Sequence, residues 1–303
     1  MRDTTVSTGA LANWRDYLAL CKLTIVALIV FTALVGMLLA VPGMVPVDIL
    51  VFGNLGIALG ASSAAVVNHV VDQRVDSIMM RTSQRPLPRG NISMEGAIVF
   101  ALILGIFSMV ILIVFVNVLT AMLTLISLIG YGFIYSMYLK RATPQNIVIG
   151  GASGAAPPVL GWTAVTGTLD PNSLLLFLII FAWTPPHFWA LAIYRREEYE
   201  KAAIPMLPVT HGVEFTRLHI LYYTIVLFLV SLLPFGFWMS GGMYLFGAVI
   251  LGAAFLYYAI KMQTDHSDKL AMQTFSFSIV YLMALFAFLL ADHYLTMIVR
   301  LVL

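Results

Sequence analysis

"GAIVFALILGIFSMVILIVFV", Gly96 to Val116, holds no ionisable side chain. Wound as a helix, such a stretch reaches about 30 Å, the thickness of a bilayer's hydrocarbon core. Its apolar residues are continuous rather than alternating, which argues against a membrane barrel strand. In lipid each backbone polar group must bond within its own segment, and a helix does that. Runs of the same kind recur on both sides. They predict nine spans, at 18–40, 49–70, 95–116, 118–138, 145–165, 173–193, 218–238, 243–262 and 274–296. The 303 residues are 61% hydrophobic and 10% charged, with a mean hydropathy of +0.97. Soluble domains carry about 25% charged residues. The expectation is therefore an all-α, polytopic membrane protein of nine transmembrane helices, forming one integral-membrane domain over 1–303. Cys21 is the single cysteine, which rules out an internal disulfide and a cysteine-rich metal site.

The charges between the spans are segregated. Arg2, Arg15 and Lys22 precede or begin the first span, and Arg74, Arg81, Arg85 and Arg89 follow the second. Lys140 and Arg141 follow the fourth; Arg195, Arg196, Lys201 and Arg217 lie between the sixth and seventh; Lys261 and Lys269 lie between the eighth and ninth. Only Arg300 falls on the other side, so fifteen of the 16 Lys and Arg share one face. The positive-inside rule makes that face cytoplasmic, with a cytoplasmic N-terminus and an external C-terminus.

The most polar stretch is "NHVVDQRVDSIMMRTSQRPLPRG", Asn68 to Gly90. Asn68, Asp72 and Asp76 repeat every fourth residue. On a helix each is offset by about 40° from the last, so the three form a stripe about 12 Å long. Oxygen-bearing side chains on one stripe suit Mg²⁺, which keeps several waters and is commonly shared with substrate phosphates. Arg74, Arg81 and Arg85 offer guanidinium groups to phosphate oxygens. The alternative is a solvated helix end whose acids pair with nearby Arg. The position of Asn68 at the end of an apolar span favours function, because polar groups beside hydrocarbon are costly. His69 adjoins the stripe but points about 100° away from it.

A second cluster, "YRREEYEKAAIPMLP", runs from Tyr194 to Pro208. Glu197 and Glu198 supply carboxylates; Arg195, Arg196 and Lys201 supply phosphate donors. On the same face as the first cluster, they predict a metal–diphosphate site at the mouth of an apolar bundle. A ligand with a diphosphate head and a hydrocarbon tail would fit there.

The first stretch resembles the leading motif of the UbiA superfamily of intramembrane prenyltransferases. "PPHFWALAIYRREEYEKAAIPMLP" (Pro185–Pro208) and "GGASGAAPPVLGW" (Gly150–Trp162) resemble its haem-modifying branch. The resemblance spans nearly the whole chain and implies a UbiA-type helical bundle. It implies Mg²⁺-assisted departure of diphosphate from farnesyl diphosphate, attack by the C2 vinyl group of haem b, and water addition to give haem O. It places the catalytic role on Asp72, Asp76 and Glu198, and metal binding on Asn68, Asp72, Asp76, Glu197 and Glu198. Substrate contacts are implied for Lys22, Arg74, Arg81, Arg85, His187, Arg195, Arg196 and Lys201. Two departures stand out. Tyr194 occupies the frame where many superfamily members begin D-x-x-x-D, and "CKLT" (Cys21–Thr24) replaces a frequent K-P-R pattern. The implied setting is a bacterial plasma membrane, with membrane lipid around the chain and haem A synthase or a terminal-oxidase assembly pathway as partners. No nucleic acid is implied. Other readings are a UbiA-type enzyme acting on an aromatic quinone precursor, or a transporter with a polar gate. Acidic groups gathered at one membrane face fit a substrate mouth better than a midplane transport site.

Overall fold

The computed structural model describes residues 13–302. Arg2 lies outside the described residues, as does the side chain of Arg300. The described chain is helical, with no strand among those residues. Its helices are α1 (Trp14–Leu20), α2 (Leu23–Leu39), α3 (Val47–Ile78), α4 (Met94–Phe115), α5 (Val118–Ile129), α6 (Asn146–Ala155), α7 (Pro157–Thr166), α8 (Pro171–Tyr194), α9 (Arg196–Lys201), α10 (Leu207–Thr210), α11 (Val213–Gly236), α12 (Gly242–Lys261) and α13 (Asp268–Val302). From Gly130 to Leu139 the chain of α5 continues as a π-helix.

Among the described residues, seven stretches are single helices long and apolar enough to cross a membrane, or eight if the bent pair α1–α2 counts as one. This corrects the expected nine. The difference lies at 145–165, which runs from one end to the other as two shorter helices, α6 and α7, each ten residues long. Pro157 and Pro158 open α7; proline has no N–H to give the preceding turn and its ring collides with a continuing helix. Each half reaches only about 15 Å. The first span is also broken, by a 54° bend between α1 and α2. Lys22 sits at that bend with φ of 52°, a left-handed conformation that L side chains rarely adopt.

The long helices pair as α3 with α4, α8 with α11 and α13, and α12 with α11 and α13. Helix α2 crosses α7 at unusually short range. A Cβ on Gly161 would overlap the Ala33 carbonyl, and one on Gly36 would overlap the Pro158 carbonyl. Small residues at a crossing let backbones approach where no hydrophobic force drives helices together in lipid.

The polar connections fall at two ends. At one end, Asn91 donates to Asp16, Arg141 to the Val71 carbonyl, and Arg217 to the His266 carbonyl. At the other, Asn117 donates to the Thr163 carbonyl and Asp292 accepts the backbone N–H groups of Gly241 and Tyr244. Of the cations assigned to one face from sequence, Arg141 and Arg217 make contacts at the first end; connections 40–46 and 167–170, at the second, contain none.

Candidate active site

Helix α3 is 32 residues long, eight more than the 24 of α8, because polar Asn68–Ser77 continues the turn of the apolar segment before it. Asn68, Asp72 and Asp76 therefore lie on one unbroken helix, and all three are buried. Burying two carboxylates is tolerable only if they are paired. Lys140 lies 2.6 Å from Asp72 Oδ2, and Arg85 lies 2.7 Å from Asp76 Oδ2. Asn68 joins the set: its Nδ2 donates to Asp72 Oδ2 and to Ser136 Oγ, both at 2.9 Å, and its Oδ1 accepts from Lys22 Nζ. That last contact explains the bend at Lys22, since a strained backbone places its ammonium over the stripe.

The π-helix delivers two of these partners. Its wide turn brings Ser136 Oγ onto the Tyr131 carbonyl, five residues back, at 2.8 Å. It stacks Tyr131 on Tyr135 with centroids 5.5 Å apart, and it ends at Lys140. Departures from α-helical winding into π geometry are frequent at functional sites. By formal charge, Lys22, Arg85 and Lys140 outnumber Asp72 and Asp76 by one. It is built to receive an anion.

Asp72 Oδ1 is buried and has no hydrogen-bond partner among the described residues. An unpartnered oxygen on a buried carboxylate has the chemistry of a Mg²⁺ ligand. Among the described residues no three of His, Cys, Asp and Glu converge to cage an ion. Mg²⁺ is usually held by one or two carboxylates, with substrate phosphates and water completing the shell. His69 borders Asp76, with Nδ1 3.8 Å from Oδ2, and both its ring nitrogens are enclosed and unpartnered. Placing it away from the stripe holds for Asn68 only. The stripe itself drifts by about 80° over eight residues and so turns Asp76 toward His69.

The second cluster approaches the first. Met79, just past α3, shares a buried core with Ile193, Ile204 and Met206. Tyr199 feels the charges of Arg81, Arg195 and Glu198; burial pushes its phenol up, and Arg81 and Arg195 oppose that. Arg195 sits 3.6 Å from Glu198, while its Nε and Glu198 Oε2 are enclosed and unpartnered. The other expected residues stand elsewhere. Arg196 is tied to Asp268 at 2.6 Å at the start of α13. Arg74, Arg81, Glu197 and Lys201 are exposed and make no ion pair among the described residues. His187 is buried between α8 and α13, away from the carboxylates. Lys140 and Ser136 are the site residues that sequence reading missed. Lys140 was visible as a cation closing a span, four residues after a serine.

The description of the UbiA prenyltransferase family matches residues 29–291. This chain belongs to that family. Among its UbiA relatives, a protein of Nitrosococcus oceani named protoheme IX farnesyltransferase is 61% identical over 97% of this chain and 99% of its own. Proteins of the same name from Saccharophagus degradans and Methylococcus capsulatus are 60% and 59% identical, over 96% and 97% of this chain and 96% and 100% of theirs. The fold matches solved UbiA-type structures at low identity. A digeranylgeranylglyceryl phosphate synthase aligns with a TM-score of 0.79 and 18% identity, over 93% of this chain and 98% of that one. A UbiA homologue of Archaeoglobus fulgidus bound to DMAPP and Mg²⁺ gives 0.61 and 17%, over 90% and 99%. The chain is thus an integral-membrane prenyltransferase with a UbiA bundle.

Proposed function

We propose that this UbiA prenyltransferase moves the farnesyl group of farnesyl diphosphate to the C2 vinyl group of haem b, giving haem O. The carrying observation is the near full-length identity with relatives of that one name, joined to a buried cradle of paired cations and carboxylates with one unpartnered carboxylate oxygen. Asp72 and Asp76 would hold Mg²⁺ against the diphosphate, with Asn68 setting their geometry. Bound there, the ion would neutralise the charge that develops on the leaving oxygen.

The chain's own groups do the rest. As the C1–O bond breaks, its electron pair goes to diphosphate, and Lys22, Arg85 and Lys140 stabilise that charge without moving far. The allylic cation must be kept from water until the vinyl carbon attacks it. The stacked rings of Tyr131 and Tyr135, beside Ser136, would help exclude water and stabilise the cation through their π faces. Water then captures the cation left beside the porphyrin ring and loses a proton. Arg195, Glu198 and Tyr199 would add the second cluster to the mouth, Tyr199 lying within range of the Arg81 charge. Purified protein given Mg²⁺, farnesyl diphosphate and haem b should yield farnesylated haem by mass spectrometry. Turnover of 4-hydroxybenzoate with none of haem b would move the chain to a quinone branch of the family.

The cradle opens at the cation-rich end, which we place in the cytoplasm of a bacterial cell, with the chain in the plasma membrane. Helix α13 starts at that end, where Asp268 meets Arg196, and runs 35 residues to the other. Reporters fused after residue 90 and after residue 303 should therefore read opposite compartments. Matching compartments would overturn the orientation.

A further inference from the structure

His187 offers a nitrogen that the proposed chemistry leaves unused. Its Nδ1 lies 2.6 Å from Ser278 Oγ. The same Ser278 hydroxyl donates to the Phe275 carbonyl at 2.6 Å. A hydroxyl has one hydrogen, and a carbonyl can only accept. Ser278 Oγ therefore accepts from His187, and the imidazole proton sits on Nδ1. Nε2 is left with a bare lone pair.

The ring is rigidly held. Trp183 stacks on one face at 4.1 Å and Phe275 on the other at 4.6 Å. Trp183 is itself pinned, donating from Nε1 to the Ser278 carbonyl at 2.7 Å. Nε2 has no hydrogen-bond partner among the described residues, yet unlike both nitrogens of His69 it is not enclosed. Its direction follows from helix geometry. On α8, Thr184 faces Gly151 of α6 and Trp183 faces α13. His187 projects about 60° from Thr184, toward α13, between those two walls. The charged mouth at Arg195 is about 12 Å further along the same helix.

We infer that His187 Nε2 is an axial ligand to the iron of the haem acceptor, and that Ser278 is the positioning residue that fixes its tautomer. This rests on the haem reading proposed above. A neutral imidazole with one nitrogen held by a hydrogen bond and the other free is the form that binds iron. The bond forms by donation of the Nε2 lone pair to iron, with no redox change and no atom lost. It would orient the macrocycle beneath the mouth, so that a vinyl edge, rather than a random edge, meets the allylic carbon.

The test loads ferric haem b onto detergent-purified full chain and reads the iron by electron paramagnetic resonance and absorption. Wild type should show a nitrogen-ligated iron. His187→Gly should lose that signal, and added imidazole should restore it. Ser278→Ala should weaken haem binding by roughly tenfold, the scale seen when the partner of a metal-binding histidine is removed. Both variants should bind farnesyl diphosphate as wild type does, which separates lost ligation from lost folding. If wild type farnesylates haem and His187→Gly keeps the wild-type iron signal, the ligand assignment is overturned while the function stands. If wild type neither binds nor converts haem, the proposed function falls, and the ligand with it.

Discussion

Asp72→Asn is expected to lower turnover by at least about a hundredfold, the scale of losing one preorganised electrostatic element of an active site. The substitution keeps the shape of the side chain and removes its charge. Three consequences follow from the contacts. The unpartnered Oδ1 loses its charge and with it most of its affinity for Mg²⁺. Lys140 loses the partner that lies 2.6 Å away. The excess positive charge of the cradle rises from one to two, which tightens diphosphate in the ground state as well as in the transition state and so does not speed the reaction. Breaking the pair also destabilises the fold, by about 1–3 kcal/mol, less than for a fully buried pair because Lys140 keeps some contact with solvent. The double variant Asp72→Asn/Lys140→Gln separates the effects. It removes the orphan charge and should recover membrane abundance, while turnover stays low. Asp265→Asn, at the same end but outside both motifs, is the matched control. Wild-type turnover by Asp72→Asn at equal abundance and low Mg²⁺ would remove Asp72 from the metal role and leave it as the counter-ion of Lys140.

The apolar scaffold was legible because lipid imposes a simple demand. Any segment facing it must be apolar for about 20 residues, and that demand is written continuously in the chain. It was misread where length alone was counted. The stretch 145–165 is apolar enough to span, but Pro157 divides it into two short helices set end to end, and the second of them also makes the α2–α7 crossing. The acidic stripe was legible for a related reason: four-residue spacing is a property of one helix and needs no tertiary knowledge. Its counter-ions were harder. Arg85 follows Asp76 closely in the chain, whereas Lys140 is 68 residues from Asp72 and reads in sequence as a mark of orientation. Nothing in the local pattern says that the helix carrying it widens into a π turn. Arg196 failed in the opposite sense. Its charge suggests a phosphate contact, yet it is drawn to Asp268, a pairing that exists only because α13 begins beside the end of α8.

Gly161→Leu should keep the chain from assembling, with a cost above about 4 kcal/mol, in the range reserved for steric conflict that cannot relax. Ordinary overpacking costs about 1–3 kcal/mol because side chains can shift. Here the obstacle is backbone: a Cβ at 161 meets the Ala33 carbonyl, and across the same crossing a Cβ at 36 meets that of Pro158. Both helices would have to part along their contact, and parting them draws α2 away from Lys22, whose ammonium reaches Asn68. Turnover and stability should therefore fall together. Gly154→Ala tests whether this is a matter of place rather than of glycine. It lies in α6, one short helix earlier, with open space where its Cβ would go. Alanine there should be neutral or stabilising by up to about 1 kcal/mol, from helix propensity alone. Thermal unfolding in detergent, read by loss of monodisperse protein on gel filtration, distinguishes the two. If Gly161→Leu accumulated in the membrane and melted within a few degrees of wild type, α2 and α7 would not be in backbone contact.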